Sequence, residues 1–229
     1  MRIAADTGLI TFQGWTLRVR PASCAALRPK GVSKGIPRLL LLIHGFTGDE
    51  NSMWVFARDL PSDYWIIAPR APHASEPGGY SWRPPQGGAF GRPSLEMLRP
   101  SAEALVRLVD EYSPSVGVDA AQFDVLGFSQ GAAMSNVLAM LHPQRIRKAG
   151  ILAGFVPSGL EEIASKRPLE GKPFFVAHGT QDELVTIDRA RASIALLEQA
   201  GAQVTYCEDE VGHRVSADCL RALKEFLAD

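Results

Sequence analysis

The segment FDVLGFSQGAAMSNVLAML, residues 123–141, is the clearest indication of the fold in this sequence. It begins as a short apolar strand and ends as an almost entirely apolar helix, with the motif GFSQG (127–131) between the two. This order predicts a turn so sharp that the backbone of Ser129 is strained and side chains at 127 and 131 would collide. Such a turn projects the Ser129 hydroxyl above the C-terminal edge of the sheet, where ligands bind in open α/β sheets.

A Gly-x-Ser-x-Gly motif alone is weak evidence for chemistry. A serine that caps a helix between two packing glycines has the same pattern. Two features of the segment favour a chemical role: the strand–turn–helix context, and a helix start that directs amide donors and a positive dipole end toward a developing anion.

The rest of the chain alternates apolar strands with helices. Continuous apolar runs at 39–43, 64–68, 149–154 and 173–179 are typical of strands buried on both faces, and helices are predicted at 51–59, 94–112, 129–141, 187–199 and 215–227. A hairpin is expected at 8–12 and 15–20, and a further strand at 203–208. We therefore predict an α/β fold: one domain over residues 1–229, with a mostly parallel central sheet and helices on both faces. Residues 1–37 form its N-terminal hairpin and connection.

Composition excludes several classes of function. The 229 residues carry a net charge of -1, and no basic stripe suggests nucleic acid as a partner. No apolar run approaches the roughly 20 residues of a membrane span. The first residues lack the apolar centre of a signal peptide, which favours a cytoplasmic protein. The cysteines at 24, 207 and 219 show neither metal nor disulfide spacing, so free thiols in a reducing compartment are expected.

A serine hydroxyl needs a base, and the base needs a carboxylate. His213 lies between the last strand and the last helix, and Asp182 directly follows a buried strand. Glu183 and Asp188 are rival carboxylates, although Asp188 suits the start of a helix. The order Ser129, Asp182, His213 is the nucleophile–acid–base order of α/β-hydrolases.

The oxyanion of such a reaction needs backbone donors. One is expected at Gln130, the residue after the nucleophile. The other is expected at Phe46 in the loop HGFTGDEN, where Gly45 lets the backbone approach the site. An ordinary turn is the alternative interpretation of His44-Gly45.

Four motifs together, LLIHGFTGDE, LGFSQGAAM, HGTQDELV and GHRV, resemble the phospholipase/carboxylesterase family, which includes acyl-protein thioesterases and small bacterial carboxylesterases. The resemblance implies an α/β-hydrolase fold without a large cap. It implies Ser129 as nucleophile, Asp182 as acid, His213 as base, and Phe46 and Gln130 as oxyanion donors. No metal or other cofactor is implied.

The chain also departs from the family pattern. Its HGFTGD loop is one residue longer than that of acyl-protein thioesterases, and Ala132 replaces the usual glycine after GFSQG. These differences favour a general esterase over an enzyme for lipidated proteins. The chain has no insertion long enough for a large cap, which favours small-molecule esters of short or medium chain length. We therefore predict a serine carboxylesterase that acts through an acyl-enzyme. A thioesterase or lysophospholipase using the same residues, and a non-catalytic ligand-binding homologue, remain open. The sequence is compatible with a monomer or a homodimer.

Residues 69–93 are rich in proline and glycine and also hold three aromatic residues, Tyr80, Trp82 and Phe90. They form either a surface excursion or a stiff wall over the pocket. The family has a corresponding segment with an aromatic residue near its site. By that resemblance Trp82 is expected to bind substrate.

Overall fold

The computed structural model describes residues 8–23, 37–57, 60–85 and 93–228. Eight of its strands form one sheet: β1 Gly8–Phe12, β2 Trp15–Arg20, β3 Arg38–Ile43, β4 Tyr64–Pro69, β7 Phe123–Phe128, β8 Ile146–Leu152, β9 Pro173–Gly179 and β10 Gln203–Asp209. The two short strands β5 His73–Ala74 and β6 Tyr80–Ser81 pair separately as a small hairpin. The hairpin predicted at 8–12 and 15–20 and the apolar strands therefore appear within a few residues of their expected bounds.

The sheet order is β1-β2-β4-β3-β7-β8-β9-β10. β1 pairs antiparallel with β2, and β2 pairs antiparallel with β4. The pairs from β4 through β3, β7, β8 and β9 to β10 are all parallel. The prediction of a mostly parallel sheet is confirmed. Because parallel strands share their direction, β3, β7, β9 and β10 all deliver their following loops to the same edge.

The helices are α1 Trp54–Ala57, α2 Leu95–Val116, α3 Gln130–Leu141, α4 Glu161–Ser165, α5 Ile187–Gln199 and α6 Ala217–Ala228. They cover both faces of the sheet: the buried apolar residues form two separate clusters, one on each face. The larger cluster joins the sheet to α2, α3, α4 and α5, and the smaller joins it to α1 and α6. In the described part of the chain no segment is large enough to form a cap.

Local differences from the predictions have physical causes. α2 continues past Tyr112 to Val116 and ends at Gly117, which adopts the left-handed conformation (φ 73°) that terminates many helices. Ser94 stands at the N-cap of α2, but its side chain makes no capping hydrogen bond. The short helix α4 was not predicted, since a single turn has too little apolar periodicity to detect. Of the helix predicted at 51–59, only α1 is helical in the described residues; positions 58 and 59 lie outside them.

The expectation of three free thiols is wrong for two of them. Cys207 of β10 and Cys219 of α6 form a disulfide, with their Cα atoms 5.7 Å apart. The loop after β10 leads directly into α6, and α6 packs against β10. This packing brings the two cysteines into bonding distance. Cys24 lies outside the described residues. No described helix is both long and apolar enough to cross a membrane.

Candidate active site

Ser129 occupies the tight turn between β7 and α3, with φ 55° and ψ -115°. This left-handed backbone is strained for any residue with a side chain. The flanking glycines permit the turn. A Cβ on Gly127 would lie 2.1 Å from the Gly131 carbonyl oxygen, and one on Gly131 would lie 2.0 Å from the Ile43 carbonyl oxygen. A side chain at 127 would therefore collide with the backbone of Gly131, and a side chain at 131 would collide with Ile43 at the end of the neighbouring strand β3.

Three side chains from three loops form one hydrogen-bonded chain. His213 Nε2 lies 2.9 Å from Ser129 Oγ, and His213 Nδ1 lies 2.7 Å from Asp182 Oδ2. Asp182 accepts the Nδ1 proton, so Nε2 is left free to accept the proton of the serine hydroxyl. The structure brings together the residues that the sequence proposed as nucleophile, acid and base.

Asp182 is fixed on its other side as well. Its Oδ1 accepts backbone N–H hydrogen bonds from Leu184 and Val185, both at 2.9 Å. Only 4% of Asp182 is exposed. The rival carboxylates Glu183 and Asp188 are both exposed to solvent, which leaves Asp182 as the carboxylate that orients the imidazole.

The loop that carries His213 packs closely on the loop that carries Asp182. A Cβ on Gly179, at the end of β9, would lie 2.1 Å from the Val211 carbonyl oxygen. The Gln181 N–H donates to that same oxygen at 3.1 Å. The Phe128 ring lies 5.1 Å from the His213 ring and supports it from the nucleophile side. These contacts fix the position of the imidazole between its two partners.

Two further histidines are buried near the site and remain neutral. Burial lowers the pKa of His178, whose Nε2–H donates to the Val185 carbonyl at 2.7 Å behind Asp182. Burial also lowers the pKa of His44, which follows β3; its Nε2 accepts the Ala71 N–H at 3.0 Å. Both therefore act as fixed hydrogen-bonding groups that shape the loops of the site.

The loop after β3 lies directly against the nucleophile. A Cβ on Gly45 would lie 3.3 Å from both the Phe128 carbonyl oxygen and Ser129 Cβ. The next residue, Phe46, lines a cavity together with Ser129 and Gln130. The Thr47 N–H already donates to the Tyr80 carbonyl at 3.0 Å. As the first residue of α3, Gln130 has a backbone N–H with no acceptor inside its own helix.

The cavity beside Ser129 measures about 170 Å³. Apolar and charged side chains line it together with Ser129 and Gln130: Phe46, Arg83, Pro93, Phe155, Glu183, Leu184, Val185 and Arg189.

Trp82 does not line this cavity. Its indole is fully buried and donates through Nε1 to the His44 carbonyl at 2.8 Å, while its backbone N–H donates to Gln130 Oε1 at 2.9 Å. These contacts do not fit the predicted contact with substrate. Trp82 instead fixes residues 80–83 against the turn and the loop after β3, and the next residue, Arg83, lines the cavity. Sequence reasoning missed Arg83, because a single arginine in a proline-rich loop carries no motif.

The comparison with protein families agrees with this geometry. The phospholipase/carboxylesterase family model matches residues 33–229. The chain belongs to the phospholipase/carboxylesterase family. As a member it is a serine hydrolase, and the resemblance drawn from the four sequence motifs is confirmed.

Relatives of this family member include carboxylesterases and thioesterases. Acyl-protein thioesterase 1 of Debaryomyces hansenii is 27% identical over 89% of this chain and 96% of its own. The Bacillus cereus carboxylesterase superposes with a TM-score of 0.78 at 22% identity, over 94% of each chain. YahD, solved with malic acid, superposes with a TM-score of 0.76 at 20% identity, over 93% of this chain and 97% of its own. The two structures establish the α/β-hydrolase fold for this chain.

Proposed function

We propose that this protein is a serine carboxylesterase that hydrolyses short- to medium-chain carboxylic esters through an acyl-enzyme. The observation that carries the proposal is the continuous hydrogen-bonded chain from Ser129 through His213 to Asp182. The Ser129 end of this chain lines the cavity in which a substrate can bind. A serine acquires nucleophilic strength from an oriented base of this kind.

The proposed reaction has two halves. His213 Nε2 takes the proton of Ser129 Oγ as the oxygen attacks the ester carbonyl, and returns it to the departing alcohol. Water that loses a proton to His213 then attacks the acyl-enzyme; the bond between the acyl group and Ser129 Oγ breaks, His213 returns the proton to Oγ, and the acid leaves. Backbone N–H groups of Phe46 and Gln130 are proposed to stabilise the oxyanion in both halves; removal of one such donor typically costs about 10²–10³ in kcat. The side chains and backbone perform each of these steps without a metal or other cofactor.

The size of the cavity supports small-molecule substrates. Its volume of about 170 Å³ is below the roughly 300–1,000 Å³ of sites for drug-sized ligands. Its apolar walls come from Phe46, Phe155 and Val185, and Leu184 is 56% exposed at its margin. An acyl chain of about two to eight carbons suits such a site better than a palmitoyl chain.

A p-nitrophenyl ester series from C2 to C16, measured as kcat/KM, tests this function. We expect the highest value at C8 or below. A maximum at C14 or longer would contradict the proposed substrate class. Labelling of Ser129 by a fluorophosphonate tests the nucleophile separately, and an unlabelled Ser129 would support a non-catalytic homologue.

A thioesterase is the second candidate, because the Debaryomyces hansenii relative is named acyl-protein thioesterase 1. Oxygen esters and thioesters with the same acyl group separate the two activities. We expect the oxygen ester to be hydrolysed with the higher kcat/KM; a preference of tenfold or more for the thioester would assign the second activity.

We also propose a cytoplasmic location and a monomeric or homodimeric state. The Cys207–Cys219 disulfide runs against the proposed location, because disulfides persist mainly in oxidising compartments. Thiol labelling of the protein immediately after cell lysis tests the location: free thiols at both positions support a reducing compartment, and an intact bridge contradicts it. Light scattering of the purified protein tests the oligomeric state.

A further inference from the structure

Arg83 is a buried cation in the wall of the cavity. Only 6% of the residue is exposed, yet it lines the same cavity as Ser129. Its Nε is fully buried and has no hydrogen-bond partner. Across the described ranges 8–23, 37–57, 60–85 and 93–228, no carboxylate forms an ion pair with its guanidinium.

Two other arginines differ from Arg83 because each forms an ion pair with a buried carboxylate. Arg70 forms a two-pronged pair with Glu50 at 2.7 and 2.8 Å. Arg147 binds both oxygens of the fully buried Asp124. Burial of a charge is unfavourable unless the charge is paired, so an unpaired guanidinium in a cavity wall indicates a partner that arrives from outside the chain.

The other charged groups of the cavity wall do not remove this positive character. Arg189 adds a second cation, and its Cζ lies 3.5 Å above the Phe155 ring. Glu183 adds one carboxylate, which is exposed to water, and the high dielectric constant of the water weakens its interaction with the other charges of the wall. The buried guanidinium of Arg83 therefore remains a positive charge in the cavity wall, and this favours an anionic ligand.

We propose that Arg83 binds a carboxylate on the non-reacting end of the substrate. The inference rests on the proposed esterase function and narrows its substrate class to half-esters of small dicarboxylic acids. The guanidinium is a planar fork of donors that matches the two oxygens of a carboxylate. Arg83 and Ser129 line one cavity of about 170 Å³, so a small molecule can place its carboxylate at the first and its ester carbonyl at the second.

Two esters that differ at one group test the proposal. Monoethyl succinate carries a carboxylate where ethyl butyrate carries a methyl group. The rate of ethanol release, measured at several ester concentrations, gives kcat/KM for each ester. We expect wild type to prefer monoethyl succinate by tenfold or more. Arg83→Met should lower that preference by roughly ten- to a hundredfold, since it removes a charge-assisted pair. Arg83→Lys should retain part of the preference, because it keeps the charge without the fork.

Arg221→Met is the matched control. Arg221 is exposed on α6, where it pairs with Asp218, so this variant should keep the wild-type preference. Arg189→Met tests the competing cation. An unchanged preference in Arg83→Met, or a loss that appears only in Arg189→Met, would overturn the proposal. A lower melting temperature of Arg83→Met with an unchanged preference would likewise show that Arg83 has a structural role.

Binding of succinate separates this inference from the proposed function. Succinate should raise the melting temperature of wild type and of Arg221→Met, and it should not raise that of Arg83→Met. If neither ester is hydrolysed but succinate still stabilises the wild type, the esterase function fails and the carboxylate site stands. If both esters are hydrolysed equally and succinate has no effect, the carboxylate site fails and the esterase function stands.

Discussion

Asp182 illustrates how one residue is specified by its surroundings. One carboxylate oxygen accepts from His213, and the other accepts the backbone N–H groups of Leu184 and Val185. The hydrogen bonds from the backbone fix the orientation of the carboxylate. Its second oxygen therefore accepts from His213 Nδ1 and favours the tautomer that carries its proton on Nδ1. Glu183 and Asp188 are chemically similar and close in sequence, but both are exposed to solvent.

Replacement of Asp182 by Asn tests this arrangement. The amide can present an N–H to His213 Nδ1 and favour the tautomer with its proton on Nε2, which cannot accept the serine proton. We expect kcat for a p-nitrophenyl ester to fall by about 10⁴. Asp188→Asn, at an exposed position in the first turn of α5, is the control. If Asp188→Asn caused the large loss instead, the carboxylate would be misassigned.

Replacement of Ser129 by Ala removes the nucleophile. The oxyanion donors and the binding cavity persist, so a residual acceleration of about 10³–10⁴ over water is expected, with nearly all of the esterase rate lost. The measurement is the single-turnover rate of a preparation free of other esterases. Activity within tenfold of wild type would contradict the role of Ser129.

The three proposed catalytic residues could be chosen from the sequence, whereas Arg83 could not. Ser129, Asp182 and His213 each follow a strand at the same edge of the sheet, and their chain order is a readable pattern. The significance of Arg83 rests on burial without a partner, which depends on every element around it. The burial of Trp82 also could not be predicted from the sequence. The family resemblance suggested contact with substrate, whereas the fold buries Trp82 completely and it does not line the cavity.

At the scale of elements, strands were easier to predict than their connections. β9 and α5 have the predicted bounds, because a continuous apolar run and a clear helical period mark them. The disulfide between β10 and α6 was missed. Whether two cysteines 12 residues apart meet depends on the path of the loop between them, and the spacing alone does not determine that path.

That disulfide should stabilise the elements on either side of His213. The double variant Cys207→Ala/Cys219→Ala should lose about 3 kcal/mol of unfolding free energy, the value typical for a loop of about 15 residues. Urea unfolding followed by circular dichroism measures the loss, and reduction of wild type with dithiothreitol should reproduce it. Cys24→Ala leaves both bridge cysteines in place and serves as control. Equal midpoints for wild type and the double variant would show that the bridge contributes nothing.

At the scale of the whole molecule, buried neutral histidines make stability depend on pH. His44 and His178 are 1% and 2% exposed, and burial lowers the pKa of each in the folded state. The unfolded chain, in which histidine has a pKa of about 6.5, therefore binds more protons than the folded chain as the solution is acidified. Stability from this source is fully present above that value and is lost as pH falls below it.

Urea unfolding at pH 8.0, 6.5 and 5.5 tests this dependence. We expect the midpoint to fall steadily below pH 6.5, with each histidine contributing at most about 1.4 kcal/mol per pH unit. His44→Gln should reduce the slope, because one titrating group is removed. A midpoint that stays constant from pH 8.0 to 5.5 would contradict neutral burial of the two histidines.

The strained backbone at Ser129, with φ 55°, also has a consequence for laboratory evolution. Glycine adopts positive φ without steric cost, so Ser129→Gly should relieve strain of about 1–3 kcal/mol and melt at a higher temperature. A library of variants selected for thermal resistance alone would therefore enrich substitutions that abolish the nucleophile. Improved variants of this protein should be sorted by turnover and heat tolerance together, because at position 129 the two properties oppose each other.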